Sequence, residues 1–128
     1  MLAYVTYCSA QKNFSKENIP AIDLYDSQRI RNIADKAKKD NICFYILSGK
    51  YGLLKPKQKI AHYDHLLTSS EVETHSLGIA TQLRFNNISK MVYFTHPLET
   101  DSNLLPYLKC IGSACEIVKI PIQIKFIS

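Results

Sequence analysis

The run Ile42-Cys43-Phe44-Tyr45-Ile46-Leu47 is apolar throughout and then breaks into Ser48-Gly49-Lys50-Tyr51-Gly52. An alternating strand can leave one face wet, but a continuous apolar strand has to be covered on both faces. This stretch therefore demands layers above and below a sheet. The break after Leu47 carries its own information. A plain corner needs only two or three residues of Gly, Asn or Asp, whereas this turn carries a hydroxyl, an ammonium and a phenol around two glycines. Ligands of open α/β sheets sit beyond the carboxyl ends of the strands, so Ser48, Gly49, Lys50, Tyr51 and Gly52 are candidate site residues.

The other periodicities supply the layers. Leu2 to Tyr7 reads as a first strand, followed by a loop from Cys8 to Asp23. A helix capped by Asp26 or Ser27 aligns Ile30, Ile33, Ala34 and Ala37 on one buried stripe and ends at Asp40-Asn41. The connection Ser48 to Thr68 has no clear period. After it, Ser70-x-x-Glu73 reads as a capping box opening a helix that buries Val72, Ile79, Ala80 and Leu83. Met91 to Thr95 is a third strand, and Leu104 to Ile111 a short helix with Gly112 as its C-cap. Ile120, Ile122, Ile124 and Phe126 alternate with polar neighbours as a half-buried strand, placed at an edge by Pro121. Strands separated by such helices imply right-handed crossovers. The expectation is a single α/β domain over residues 1–128, with a mainly parallel sheet of about four or five strands flanked by helices, a Rossmann-like core.

Composition excludes several classes. With 46% hydrophobic and 21% charged residues the chain is neither disordered nor fibrous. No apolar run approaches the ~20 residues of a membrane helix, and the N-terminus reads as a strand instead of a secretion signal. The expectation is a cytoplasmic protein with no membrane partner. Cys8, Cys43, Cys110 and Cys115 form no Cys-x-x-Cys pair, which predicts free thiols. His62 and His65 could share a helical face, but no third ligand stands at a recognisable offset, so neither metal nor cofactor is expected. The net charge of +5 permits a nucleotide or nucleic-acid partner. Lys36, Lys38 and Lys39 suit the C-terminal end of their helix. Lys50, Lys55, Lys57 and Lys59 crowd the loop after the glycine turn, either as a solvated face or as the rim of an anionic-ligand site.

If the first two strands are parallel neighbours, the tips Tyr7–Lys12 and Ser48–Gly52 meet in one crevice. Ser9, Lys12, Ser48 and Lys50 could then hold an anion or a carbonyl, with amides of the turn as further donors. The spacing is neither a P-loop nor a dinucleotide fingerprint. Cys8, near Lys12, reads as a thiolate nucleophile or as a buried thiol, burial being the commoner fate. In Ile60–Leu67, Tyr63 offers an aromatic face and Asp64 a group for proton exchange. Tyr25, two residues before Ser27, either stacks on a base or packs the helix start.

Leu47-Ser48-Gly49-Lys50-Tyr51-Gly52-Leu53-Leu54-Lys55-Pro56, with Ile60 and Tyr63, resembles a block of the peroxide-stress protein YaaA. With Cys8-Ser9-x-x-Lys12 and Leu24-Tyr25-x-Ser27 added, the chain is more similar to a compact family of unknown function related to YaaA. The resemblance implies a YaaA-like core and a context of DNA binding, oxidative stress or nucleobase chemistry. The resulting expectation is a protein that recognises a nucleotide or nucleobase, acting at its base or glycosidic bond. Asp64, Lys50 and Ser48 are the catalytic candidates. Cys8, Ser9, Lys12, Tyr25, Ser27, Gly49, Tyr51, Gly52 and Tyr63 are the ligand contacts. The alternative is a non-catalytic module binding DNA, RNA or protein in a stress or phage-defence setting.

Overall fold

The computed structural model describes residues 1–127. Along the chain run β1 (Leu2–Tyr7), β2 (Ile19–Pro20), the single-turn α1 (Ala21–Leu24), α2 (Gln28–Asp40), β3 (Cys43–Ser48), β4 (Gly52–Leu54) and β5 (Lys59–Ile60). Then follow α3 (Val72–Phe85), β6 (Lys90–Thr95), α4 (Leu104–Val118) and β7 (Ile122–Phe126). Five strands form one sheet in the order β4-β3-β1-β6-β7. All its pairs are parallel except β3 with β4, a hairpin in which Ser48 faces Gly52. β2 and β5 make a separate two-stranded antiparallel ribbon.

The apolar run behaves as its composition requires: Phe44 through Ser48 are buried without alternation. β1 lies at the centre, flanked by β3 and β6. From β1 the chain crosses one way to β3, then passes back over β1 to β6 and on to β7. With right-handed crossovers, α2 covers one face while α3 and α4 cover the other. The winding therefore reverses beside β1. α2 buries Ile30, Ile33 and Ala37, starts where Ser27 accepts the Ile30 N–H at 3.2 Å, and stops at Asn41 in the left-handed region. No helix among the described residues is long and apolar enough to cross a membrane.

Several local expectations are corrected. The connection after β3 contains β4 and β5, strands too short to generate a period. The capping box is formed by Thr68 and Glu71, not Ser70 and Glu73, around a single 3-10 turn that precedes α3. Two overlapping Ser/Thr-x-x-Glu patterns stand here, and the one in use begins where the chain leaves extended backbone at Thr68. Gly112 does not end its helix. Ala114 and Cys115 continue the buried stripe past it, and Lys119, left-handed at φ 59°, closes α4.

Candidate functional site

Loops leave the carboxyl ends of β1 and β6 in diverging directions, the arrangement that opens a ligand crevice in doubly wound sheets. A cleft of about 260 Å³ occupies that position. One wall comes from the end of β1 and the residues after it, including Tyr7, Cys8, Ser9 and Lys12. The opposite wall is Asp101, Asn103, Leu104 and Tyr107, before and within α4. Asp64, His65 and Leu66 from the loop after β5 close the rim, and Arg29 of α2 reaches in from the other face of the sheet.

Arg29 is the residue that sequence reasoning missed. Its Nη1 donates to Thr6 Oγ1 at 2.7 Å and to the Tyr7 carbonyl at 2.8 Å, and its Nη2 to the Cys8 carbonyl at 3.2 Å. The guanidinium lies 3.5 Å from the centre of the Tyr7 ring. All these partners are neutral, and among the described residues no carboxylate pairs with it. Desolvation lowers its pKa from the ordinary value, with the Tyr7 phenol opposing. A signal did exist. The first turn of α2 holds no acidic residue and does hold Arg29, although the positive end of the helix dipole disfavours a cation there.

Lys12 is the second cation of the cleft. Its Nζ sits 4.7 Å from the Tyr63 ring centre and 5.9 Å from that of Tyr25, and it donates weakly to the Ala10 carbonyl. Backbone pairing of Lys12 with Tyr25 fixes the loop that carries it. The Cys8 thiol is buried at the wall and contacts the Tyr107 hydroxyl at 3.8 Å, which also accepts the Leu67 N–H at 3.2 Å. Gly49 makes room for this junction, since a Cβ there would lie 2.9 Å from the Tyr107 hydroxyl. Burial pushes the Cys110 thiol up to about 12 and that of Cys115 up to about 11, so both stay neutral inside the core.

A second, shallower cleft of about 510 Å³ adjoins the first and shares Asp64 and His65 with it. Gly49, Lys50, Tyr63 and His75 line it, and His65 Nε2 contacts Glu71 at 2.8 Å. The two strand tips are neighbours but do not share one crevice as expected: the residues at the end of β1 open onto the first cleft, Gly49 and Lys50 onto the second, and Asp64 lines both. Among the described residues no His, Cys, Asp and Glu cluster stands close enough to hold a metal ion. His62 and His65 lie on irregular chain instead of a helical face.

The remaining predicted residues serve the framework. Ser48 is fully buried; its Oγ accepts the Lys50 and Tyr51 N–H groups and bonds the Tyr63 hydroxyl at 2.8 Å. Tyr63 in turn bonds Tyr25, which has no exposed surface. Tyr25 presents no face on which a base could stack, and Tyr63, although it borders the second cleft, is almost entirely buried and already carries the Lys12 and Lys50 ammonium groups near its ring. Burial raises both phenols well above the ordinary tyrosine value and keeps them neutral. Ser27 caps α2 away from both clefts. Tyr51 and Gly52 border a small groove beside Gln82. The Tyr93 hydroxyl is buried with no hydrogen-bond partner among the described residues, within electrostatic reach of the cleft residues Arg29, Cys8, Tyr7 and Tyr107.

A family model matches residues 4–91, from β1 to the opening of β6, more than half of the chain. The chain belongs to the family of unknown function DUF6884. The DUF6884 match includes Cys8, Lys12, Arg29, Asp64 and His65, while the α4 wall with Asp101 and Tyr107 lies beyond it. No curated protein and no solved structure matches the chain.

Proposed function

We propose that this protein recognises a nucleotide or a nucleobase in the cleft between the carboxyl ends of β1 and β6. The observation that carries the reading is the pairing of that position with two cations, Arg29 and Lys12, neither of which forms a salt bridge with a carboxylate among the described residues. Pockets for drug-sized ligands run to roughly 300–1,000 Å³, so about 260 Å³ suits one base or one nucleotide and not a duplex. Asp64 and Asp101, which also line the cleft, supply acceptors for the amino groups and hydroxyls of such a ligand. Asp64, exposed at the rim, is the group positioned for proton exchange at the base or the glycosidic bond. The likeness of the Leu47–Pro56 block to YaaA supports the same chemistry by analogy.

A second reading draws on Lys55 and Lys57 between β4 and β5 and Lys59 at the start of β5, all exposed. They suit a non-catalytic surface for nucleic acid. Counterion release makes such binding fall steeply with salt, whereas a single small-ligand cleft responds weakly. Thermal shift against nucleosides, mononucleotides and short oligonucleotides separates the two, since a ligand at 100 times its dissociation constant stabilises by roughly 2.7 kcal/mol. Stabilisation by mononucleotides, reduced in Asp64→Asn, supports the cleft. Stabilisation by oligonucleotides alone, abolished by salt and by the triple Lys55, Lys57, Lys59→Ala variant, supports the surface.

A further inference from the structure

We infer that the cleft contains a phosphomonoester subsite built by Arg29 and Lys12, so that its ligand is a nucleoside monophosphate and not a free base or nucleoside. The inference deepens the reading above and rests on it for the base alone; the phosphate part stands on the cations themselves.

A guanidinium has five N–H donors. Arg29 spends three of them, on Thr6 Oγ1 and on the Tyr7 and Cys8 carbonyls. Nε–H and one Nη2–H have no acceptor among the described residues. The spent donors hold the group rigidly at the end of β1, and its stacking on Tyr7 fixes the plane. A charge half-withdrawn from water with only neutral partners is costly unless an anion completes it. Remaining guanidinium donors in fixed geometry fit phosphate oxygens. Lys12 adds a point charge at the same cleft. Its stem is held by the backbone pairing with Tyr25, and its ammonium rests on the Tyr63 face. Asp64 and Asp101 also line the cleft, and among the described residues neither forms a salt bridge with Arg29 or Lys12. A phosphate therefore belongs at the β1 and α2 side, where Arg29 and Lys12 stand, and the two carboxylates are left for hydroxyl or amino donors. A cavity of this size leaves no room for a second nucleotide.

Isothermal titration calorimetry with inorganic phosphate, ribose 5-phosphate, the common ribonucleosides and their 5′-monophosphates tests this. The expected result is a monophosphate bound at least about tenfold tighter than its nucleoside, in keeping with the strength of charge-assisted bonds. That ratio should collapse toward unity in Lys12→Gln and shrink in Arg29→Lys, which keeps the charge but loses the fork. Because Arg29 also holds the end of β1, each variant is first checked for a native thermal transition, and the Lys12→Gln ratio alone decides if Arg29→Lys fails to fold. Equal affinity for nucleoside and monophosphate, or a ratio untouched by Lys12→Gln, overturns the subsite while leaving base recognition standing. Binding of ribose 5-phosphate without any nucleoside supports the subsite and removes the base reading. No binding of any probe removes both.

Discussion

At Gly52 the backbone adopts φ +74°, and a Cβ would lie 2.3 Å from Gln82 Oε1. The left-handed conformation alone costs a non-glycine residue about 1–2 kcal/mol, and the clash adds to it. Gly52→Ala should therefore lower stability by about 2 kcal/mol or more in urea unfolding; a loss within error would show that Gln82 simply swings away. The linked hydroxyls of Ser48, Tyr63 and Tyr25 make a second residue-scale case. Tyr25→Phe leaves the Tyr63 hydroxyl with one partner fewer in a buried setting, which costs about 1–3 kcal/mol. The same change should leave the affinity of a cleft ligand unaltered, because Tyr25 touches none of the cleft's open surface. Loss of binding without loss of stability would return Tyr25 to the site. At this scale the sequence revealed which residues gather near the strand tips but not which of them face solvent. Cys8, Lys12 and Asp64 line the first cleft, while Ser48 and Tyr25 went to the core, because burial of a serine or tyrosine depends on partners distant in sequence. Arg29 was hidden by its place on a helix whose polar face accounts for any basic residue.

β4 is an edge strand of three residues, and its free side is completed by a helix. Gln82 of α3 accepts the Leu53 N–H at 2.8 Å and donates to the Tyr51 and Leu53 carbonyls. One amide side chain thus imitates a neighbouring strand and blunts an edge that would otherwise invite pairing with another chain. Gln82→Ala is expected to cost about 1 kcal/mol, the net value of such bonds, and to cost less in a chain already carrying Gly52→Ala, since the two residues are in contact. Additive effects in that double-mutant comparison would sink the coupling. The elements that could be read from the chain were those with enough residues to show a period: β1, α2, β3, α3, β6, α4, though not its full length, and β7. The short strands β2, β4 and β5 are fixed by partners across the fold, Ile19 with Ile60 and Leu47 with Leu53, and such pairing leaves no local trace. Glycine at position 112 misled for a related reason, as helix length was set by the stripe packed beneath it.

For the whole molecule, the response to acid follows from carboxylates held in their charged form. Hydrogen bonds from the Thr68 backbone and side chain hold Glu71 below its ordinary value of 4.5, and the bond from Lys36, then that from Tyr4, does the same for Asp40 against 3.8. A carboxyl with a lowered folded-state pKa binds fewer protons folded than unfolded, so its stabilisation is present above the ordinary value and disappears as pH falls through the lowered one. The melting temperature should decline between about pH 5 and pH 3. Glu71→Gln should melt below the parent at neutral pH, with the gap closing on acidification. A gap independent of pH would assign Glu71 a purely steric part. The α4 residue Tyr107 joins distant parts of the chain: it seats against Gly49, holds Leu67 and touches Cys8. The stretch by which relatives are recognised stops at residue 91, short of this tyrosine. Excised on its own, that stretch would keep its signature yet lose one wall of the cleft, so the unit that evolution labels and the unit that encloses the cleft are different lengths of polypeptide.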